Sequence, residues 1–160
     1  MSPYEKIVGL LKKNSVEFQT IEHEPVFTSK QAAAVRGLRL EQGAKSLLFK
    51  ADKDFVLVVV PGHKKVDWKK LKQTLGVKSI RLANAEEVLR QMGVEIGACY
   101  PFGNVANLRT LVDKTLAEQA IISCNPGRHD ISIKFKFADY QNIVKPEIVD
   151  VTEKSQVDES

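Results

Sequence analysis

The chain has 160 residues, 43% of them hydrophobic, and its 24 basic and 20 acidic residues give a formal net charge of +4. This length suits one globular domain that buries about two thirds of its unfolded surface without a cofactor or a disulfide. No window reaches the roughly 20 apolar residues of a membrane span, and the N-terminus lacks the pattern of a secretion signal. Cys99 and Cys124 lack metal-ligand spacing, so we expect a soluble, cytoplasmic protein with reduced cysteines.

The first third of the chain contains two helix signals and one strand signal. Ser2-Pro3-Tyr4-Glu5 is a capping box with proline at the first helical position, and it predicts a helix that ends near Asn14. Residues 17–23 are predicted to form a strand. Thr28 can cap a second helix, which we expect to stop at Gly37.

The middle third predicts a hairpin followed by two capped helices. Apolar runs at residues 46–50 and 55–60 are joined by a short polar link. The second run is continuous, which is typical of a central strand that is buried on both faces. Asp67 then caps a helix that we expect to turn Trp68 towards the core, and Asn84 caps the next helix.

Strand signals dominate the remaining sequence. One short strand is predicted between the two capped helices, at residues 79–82, and further strands follow at residues 108–112, 120–123 and 130–137. Apolar and polar residues alternate along the last of these strands, which predicts a sheet with one face exposed to solvent. A short helix is predicted after this strand. We therefore predict a mixed α/β (α+β) fold in a single domain, residues 1–151, with helices wrapped around a central mixed, largely antiparallel sheet. Residues 152–160 are predicted to form a polar C-terminal tail.

Several common catalytic motifs are absent from the sequence, which narrows its function. It contains no GxxxxGK[ST], GxGxxG, GxSxG or HExxH, so ATPase, dinucleotide oxidoreductase, α/β-hydrolase and zincin functions lose their main support. The three histidines, His23, His63 and His129, are not at metal-ligand spacing. We therefore predict neither a metal nor a cofactor.

Two short segments about fifty residues apart carry candidate chemistry instead. Gln42-Gly43-Ala44-Lys45-Ser46 places a lysine just before an apolar strand, where its ammonium can meet a carbonyl or a phosphate. Gly97-Ala98-Cys99-Tyr100-Pro101-Phe102-Gly103 is a loop whose backbone N–H groups can approach an oxyanion. On residue type alone, Lys45 also fits a strand-end lysine with its charge in solvent, and the loop also fits an ordinary surface turn.

Together with Gly127-Arg128-His129-Asp130 and residues 23–37, these segments resemble the YbaK/ProX family of trans-acting aminoacyl-tRNA editing deacylases. The resemblance covers nearly the whole chain and implies the fold of that editing domain. It implies that Lys45 is a functional residue and that Gly97 and Pro101 bound the family's GxxxP loop. In the family, this loop holds the aminoacyl carbonyl and the terminal ribose through backbone groups.

The resemblance also implies further contacts with the substrate. The candidate substrate-binding residues are Ala98, Cys99, Tyr100, Phe102, Gly103, His129 and His23. A histidine near the place of His129 lines the amino-acid pocket in parts of the family, and we expect His23 to shape the rim of the site.

A basic segment supplies candidate contacts to tRNA phosphates, although its pattern equally fits a solvated helix face. Its candidate residues are Lys64, Lys65, Lys69 and Lys70.

The resulting hypothesis is an aminoacyl-tRNA hydrolase that clears the ester of mischarged tRNA, with Ser or Thr as the amino acid. An aminoacyl ester is already activated, and the neighbouring ribose hydroxyl can handle the proton, so polarisation and placement can replace a Ser/His/Asp triad. The alternatives are a cysteinyl- or alanyl-tRNA(Pro) deacylase and a non-catalytic tRNA-binding module of the same fold. The expected partner is the aminoacylated acceptor end of tRNA, and the sequence leaves an aminoacyl-tRNA synthetase open as a second partner.

Overall fold

The computed structural model describes residues 1–25 and 29–154, and this part of the chain contains six α-helices and eight strands. The helices are α1 (Pro3–Lys13), α2 (Ser29–Arg36), α3 (Trp68–Leu75), α4 (Ala85–Met92), α5 (Lys114–Ala117) and α6 (Phe137–Val144). The strands are β1 (Phe18–Glu22), β2 (Gly43–Ala51), β3 (Asp54–Pro61), β4 (Ile80–Leu82), β5 (Arg109–Asp113), β6 (Ile121–Cys124), β7 (Ile131–Lys136) and β8 (Glu147–Val149). None of the helices in the described ranges is long and apolar enough to cross a membrane.

The eight strands form one mixed sheet. Its order is β1-β7-β6-β2-β3-β5-β8, and β4 pairs with β2 beside this path. The β1–β7, β6–β7, β2–β3 and β2–β4 pairs are antiparallel, whereas the β2–β6, β3–β5 and β5–β8 pairs are parallel. The prediction of a mixed, largely antiparallel sheet wrapped by helices is therefore confirmed.

Strand β3 is the central strand that its continuous apolar run predicts. Its alternate side chains enter two separate cores, one on each face of the sheet. Leu57 and Val59 pack into a core that includes residues of α1, α4 and α6. Val58 and Val60 pack on the other face with Leu71 of α3. Because helices cover both faces, an uninterrupted apolar strand buries every side chain of its central run.

The helix caps expected from the sequence are present in the described residues. Ser2 and Glu5 form the capping box of α1, and Asn84 and Glu87 form that of α4. The Asp67 side chain accepts two N–H groups in the first turn of α3. Each cap satisfies backbone donors that have no partner inside the helix. The predicted cap at position 28 lies outside the described residues.

The prediction that Trp68 faces the core is wrong. Its side chain is 42% exposed, and only one side of it packs on the sheet, with its ring 5.2 Å from the ring of Phe49 in an edge-to-face arrangement. Leu71, one turn later on α3, is fully buried. Side chains three residues apart on a helix do not point in the same direction. Residue 71 therefore faces the core, whereas residue 68 lies at its edge.

The prediction that one face of β7 is exposed to solvent holds only in part. Ser132, which the alternation assigns to the exposed face, is fully buried. The cause is His23, whose Nε2 lies 2.8 Å from the Ser132 hydroxyl oxygen and covers it. The strand β8 was not predicted, because its three residues carry too short a pattern to separate from a loop.

Candidate active site

Lys45 lies in β2 opposite Val60, and its side chain is half-buried. Its Nζ donates a 2.7 Å hydrogen bond to the backbone carbonyl of Lys64. Burial lowers the pKa of Lys45, and the nearby charge of Lys65 lowers it further. An ammonium has three N–H donors, so the bond to Lys64 leaves donors for a substrate carbonyl or phosphate.

The loop that contains Lys64 is fixed by the C-terminal segment, residues 150–153. Backbone hydrogen bonds and an isolated β-bridge join the two. The segment is anchored in turn by Asp113, whose fully buried carboxylate accepts the Val151 N–H at 2.9 Å and the Thr152 hydroxyl at 3.2 Å. The acceptor of the Lys45 ammonium is therefore held in place by the protein interior.

The loop at residues 97–103 is fastened by two buried hydrogen bonds. The Tyr100 hydroxyl donates to the Met92 carbonyl at 2.8 Å. The Tyr140 hydroxyl donates to the Pro101 carbonyl at 2.7 Å. Burial raises the pKa of Tyr100 to about 12, so its hydroxyl stays a donor at neutral pH. Because the Tyr100 side chain points into the core, what this residue can offer a substrate is backbone.

The rest of the loop is equally constrained. Phe102 is fully buried and packs against Phe135 in a tilted arrangement and against Tyr140 edge-to-face. A side chain at Gly103 would clash, since a Cβ there would lie 1.8 Å from the Thr110 hydroxyl oxygen and 2.8 Å from the Leu108 carbonyl. Burial raises the pKa of the Cys99 thiol to about 11, so it remains protonated and is a poor nucleophile at neutral pH.

Gly97 and His129 meet beside a cavity. Gly97 has a φ of 91°, and a Cβ at this position would lie 3.5 Å from Cε1 of His129, so the imidazole ring lies against the glycine. His129 and Ala98 line a cavity of about 500 Å³, a size that suits a small-molecule group. The Glu95 carboxylate, also at this cavity, lies 4.0 Å from Nε2 of His129.

The sheet brings Lys45 and the turn before His129 to the same end of β2. Ala44 pairs with Cys124 in the parallel β2–β6 ladder. Asn125 directly follows Cys124. Its side-chain oxygen accepts the backbone N–H groups of Gly127 and Arg128 at 3.1 and 2.8 Å. The predicted site residues therefore form two groups at one end of the sheet. Lys45 projects to the face that carries α3, whereas the loop beside His129 packs into the core on the opposite face.

His23 supports the strand that follows His129. Its backbone N–H donates to the Asp130 carbonyl at 2.9 Å. Its Nδ1 lies 2.7 Å from the Glu24 carbonyl oxygen, and its Nε2 lies 2.8 Å from the Ser132 hydroxyl. Both ring nitrogens thus have partners within the protein, which suits a residue that shapes the rim of a site.

The four lysines predicted to meet tRNA phosphates differ in their availability. Lys65 and Lys69 are exposed. Lys64 is half-buried. The ammonium of Lys70 donates to the Asp150 carboxylate at 3.2 Å and to a backbone carbonyl of the C-terminal segment at 3.0 Å. Lys70 therefore contributes to the fixed position of that segment.

The sequence alone did not indicate the roles of Tyr140 and Asp113. Tyr140 positions the loop at residues 97–103, and Asp113 positions the C-terminal segment that holds the loop of Lys64. Both have partners far away in the sequence, and no local spacing indicates such partners. The sequence alone also did not indicate Ser46, whose hydroxyl is buried next to Lys45 without a hydrogen-bond partner in the part of the chain that the structure describes. Residues 1–25 and 29–154 contain no cluster of three side chains suited to holding a metal ion.

Comparison with known proteins places this arrangement in a family. The model of the aminoacyl-tRNA editing domain matches residues 23–143. The multifunctional Ser/Thr-tRNA deacylase ProXp-y of Escherichia coli (strain K12) is 30% identical over 151 residues, which cover 91% of this chain and 90% of that protein. The proline–tRNA ligase of Bacillus subtilis (strain 168) is 36% identical over 110 residues, which cover 67% of this chain and 20% of the ligase.

A solved structure supports the same fold. It belongs to a protein assigned provisionally as a trans-editing enzyme for prolyl-tRNA synthetase, and it superposes with a TM-score of 0.85 over 96% of this chain and 99% of that one. At 23% sequence identity, this similarity concerns the fold alone. The family model spans most of the chain, and the Escherichia coli relative is matched over almost its full length. The chain therefore belongs to the aminoacyl-tRNA editing domain family.

Proposed function

We propose that this chain is an aminoacyl-tRNA deacylase that hydrolyses mischarged tRNA in trans, with Ser or Thr as the amino acid. The observation that carries the proposal is the position of the His129 ring beside Gly97, at the edge of the cavity. Buried hydrogen bonds fasten the loop that carries Gly97. The 30% identity to a Ser/Thr-tRNA deacylase over nearly the full length of both chains supports the choice of substrate.

The reaction is the hydrolysis of an ester. Water attacks the carbonyl carbon, the carbonyl oxygen becomes an oxyanion, and the bond to the terminal ribose oxygen breaks to release a free amino acid and uncharged tRNA. We assign Lys45 to orienting the carbonyl or the adjacent phosphate. The neighbouring ribose hydroxyl takes up a proton of the attacking water while it passes its own proton to the departing ribose oxygen, so no net proton is gained or lost there.

The loop contributes backbone donors to the oxyanion. The Ala98 N–H already donates to the Glu95 carbonyl at 3.0 Å. We assign the oxyanion to backbone N–H groups of Gly97 and its loop neighbours. The N–H groups of Gly97 and Cys99 face the Cys99 sulfur in this structure, and the substrate oxyanion replaces that weak acceptor. Pro101 has no N–H group, and its role is to end the loop at a fixed angle with its carbonyl bound to Tyr140.

His129 limits the size of the amino acid in this account. Its side chain is only 15% exposed and lies against Gly97, so it forms a wall rather than a mobile surface group. A wall of this kind accepts Ser or Thr and excludes a large side chain. Close analogues that differ by one small group are separated by only about 1–3 kcal/mol unless a buried hydrogen bond is involved.

We place the reaction in the cytoplasm, where charged tRNA is the substrate. The aminoacylated acceptor end of tRNA is the partner that the site requires. The match to one fifth of a proline–tRNA ligase favours an aminoacyl-tRNA synthetase as a second partner.

A release assay with a panel of charged tRNAs tests the proposal. The purified chain is mixed with seryl-, threonyl-, alanyl-, isoleucyl- and phenylalanyl-tRNA and with cysteinyl-tRNA(Pro), and the free amino acid is measured. We expect release from seryl-tRNA, measurable release from threonyl- or alanyl-tRNA, and essentially none from the two bulky substrates. A strong preference for cysteinyl- or alanyl-tRNA(Pro) would assign the prolyl branch instead. Binding of tRNA without any release would make the chain a non-catalytic tRNA-binding module.

A further inference from the structure

A groove on α3 combines an exposed aromatic ring with positive charge. It is lined by Trp68, Lys69, Lys72, Gln73, Gly76 and Val77. The ring of Trp68 is fixed from one side by Phe49 and is 42% exposed. Among the residues that the structure describes, Lys69 and Lys72 make no ion pair, and the groove contains no carboxylate.

This combination matches the chemistry of single-stranded nucleic acid. Proteins bind unpaired nucleotides by stacking the bases on aromatic side chains while lysines follow the phosphates. A tryptophan that is held by a neighbouring ring loses little freedom when a base stacks on it. A protein partner would meet two uncompensated ammonium groups beside the ring, so an anionic occupant fits the groove better.

The groove lies on the face of the sheet to which Lys45 points. Lys45 and Phe49 are four residues apart in β2, so their side chains project from the same face, about 13 Å apart along the strand. Trp68 packs on Phe49. The unpaired acceptor end of a tRNA, a few nucleotides long, can therefore reach from Lys45 to the groove.

We propose that Trp68, with Lys69 and Lys72, forms a stacking site for an unpaired nucleotide of the tRNA acceptor end. The identity of the nucleic acid rests on the proposed function, whereas the stacking site rests on the groove itself. In this arrangement, the ester lies at Lys45 and a preceding nucleotide lies on the tryptophan. The site adds affinity for any tRNA, because every base has a π face.

The intrinsic fluorescence of Trp68 tests this inference directly, because it is the only tryptophan in the chain. The full chain is titrated with a short RNA duplex that ends in an unpaired CCA and, separately, with the same duplex without the overhang. We expect saturable quenching by the overhang duplex and much weaker quenching by the blunt one. Equal quenching by both, or none at saturation, would overturn the stacking site.

Substitutions separate stacking from charge. Trp68→Leu keeps an apolar contact with Phe49 but removes the π face, and we expect it to weaken binding of labelled overhang RNA by about 5-fold to 150-fold. It should raise KM for charged tRNA with little change in kcat. Trp68→Phe should keep most of the affinity. The matched control is Ile148→Ala, which removes an apolar side chain of nearly equal exposure from β8 and should leave binding unchanged.

The outcomes also separate this inference from the proposed function. Quenching without deacylation would refute the enzyme and keep the stacking site. Deacylation with a Trp68→Leu variant that binds RNA as tightly as the wild type would refute the stacking site and keep the enzyme. If Trp68→Leu does not fold, the Lys69→Gln/Lys72→Gln variant decides, because it changes only exposed side chains and should weaken the quenching titration.

Discussion

The Tyr140 hydroxyl donates a 2.7 Å hydrogen bond to the carbonyl of Pro101, and both residues are buried. This bond ties α6 to the loop that carries Gly97, while Tyr100 ties the same loop to the last turn of α4. The loop is thereby held between two helices before any substrate binds. Preorganised backbone donors of this kind stabilise an oxyanion without reorganisation during the reaction.

Tyr140→Phe removes only the hydroxyl and leaves the Pro101 carbonyl buried without its donor. We expect a loss of about 1–3 kcal/mol in the free energy of unfolding, which urea denaturation measures. We also expect kcat for deacylation to fall with little change in KM, because the loop acts in the transition state. A destabilised variant with unchanged kcat would show that this bond supports the fold but does not position the loop.

Gly97→Ala places a side chain at a positive φ of 91°, next to the His129 ring. We expect a fall in kcat, because the loop must shift to relieve the backbone strain. The matched control is Gly37→Ala, which imposes similar strain at φ 66° where no atom lies within 4 Å of the new Cβ. If both variants keep the wild-type kcat at saturating tRNA, the exact position of Gly97 is not part of the mechanism.

His129→Ala enlarges the space beside Gly97. We expect the ratio of seryl- to threonyl-tRNA hydrolysis to change more than the rate on the better substrate, because the histidine sets the size of the pocket. Hydrolysis of each charged tRNA at limiting concentration gives this ratio. An unaltered ratio would place His129 outside the amino-acid pocket.

The exposed lysines before and within α3 should control how salt affects tRNA binding. Lys65→Gln/Lys69→Gln should weaken binding and lower the slope of log K against log salt by roughly one unit per lysine. Lys13→Gln, an exposed change on α1, is the control and should leave the slope nearly unaltered. A double variant with the wild-type slope would identify these residues as a solvated helix face.

The depressed pKa of Lys45 gives a pH-dependent stability with a definite sign. Because the folded state holds this proton less tightly than the unfolded chain does, unfolding takes up a proton at pH values between the two pKa values. Wild-type stability should therefore rise as pH increases through that window towards 10.5, the ordinary value for lysine. Lys45→Met should lack this rise in urea unfolding experiments, whereas a Lys13→Met control should retain it.

Local signals in the sequence predict much of this fold correctly. The cap at Asp67, the capping boxes at Ser2 and Asn84, and the buried run in β3 each depend on residues a few positions apart. The exposure of Trp68 was not predictable in this way, because it depends on where α3 packs on the sheet and on the resulting contact with Phe49. Helical periodicity indicates a buried side of α3 but not its exact edges.

The candidate site shows the same difference between features with local signals and features that depend on distant residues. Lys45 and the loop at residues 97–103 are recognisable because their spacing is local and resembles a known family. The bonds that position them are not, since Tyr140 and Pro101 are 39 residues apart and Asp113 and Val151 are 38 apart. A buried tyrosine and a buried aspartate have many potential partners in a sequence. Only the folded chain selects one of them.

The most direct test of the account is the single-turnover hydrolysis of seryl-tRNA by the wild type and by Lys45→Met. The methionine replaces the apolar part of the side chain as far as Cε but removes the ammonium that reaches the Lys64 carbonyl. We expect a fall in rate of about 100-fold or more, with an unfolding midpoint at neutral pH that is unchanged or higher. A variant that hydrolyses seryl-tRNA at nearly the wild-type rate would contradict it.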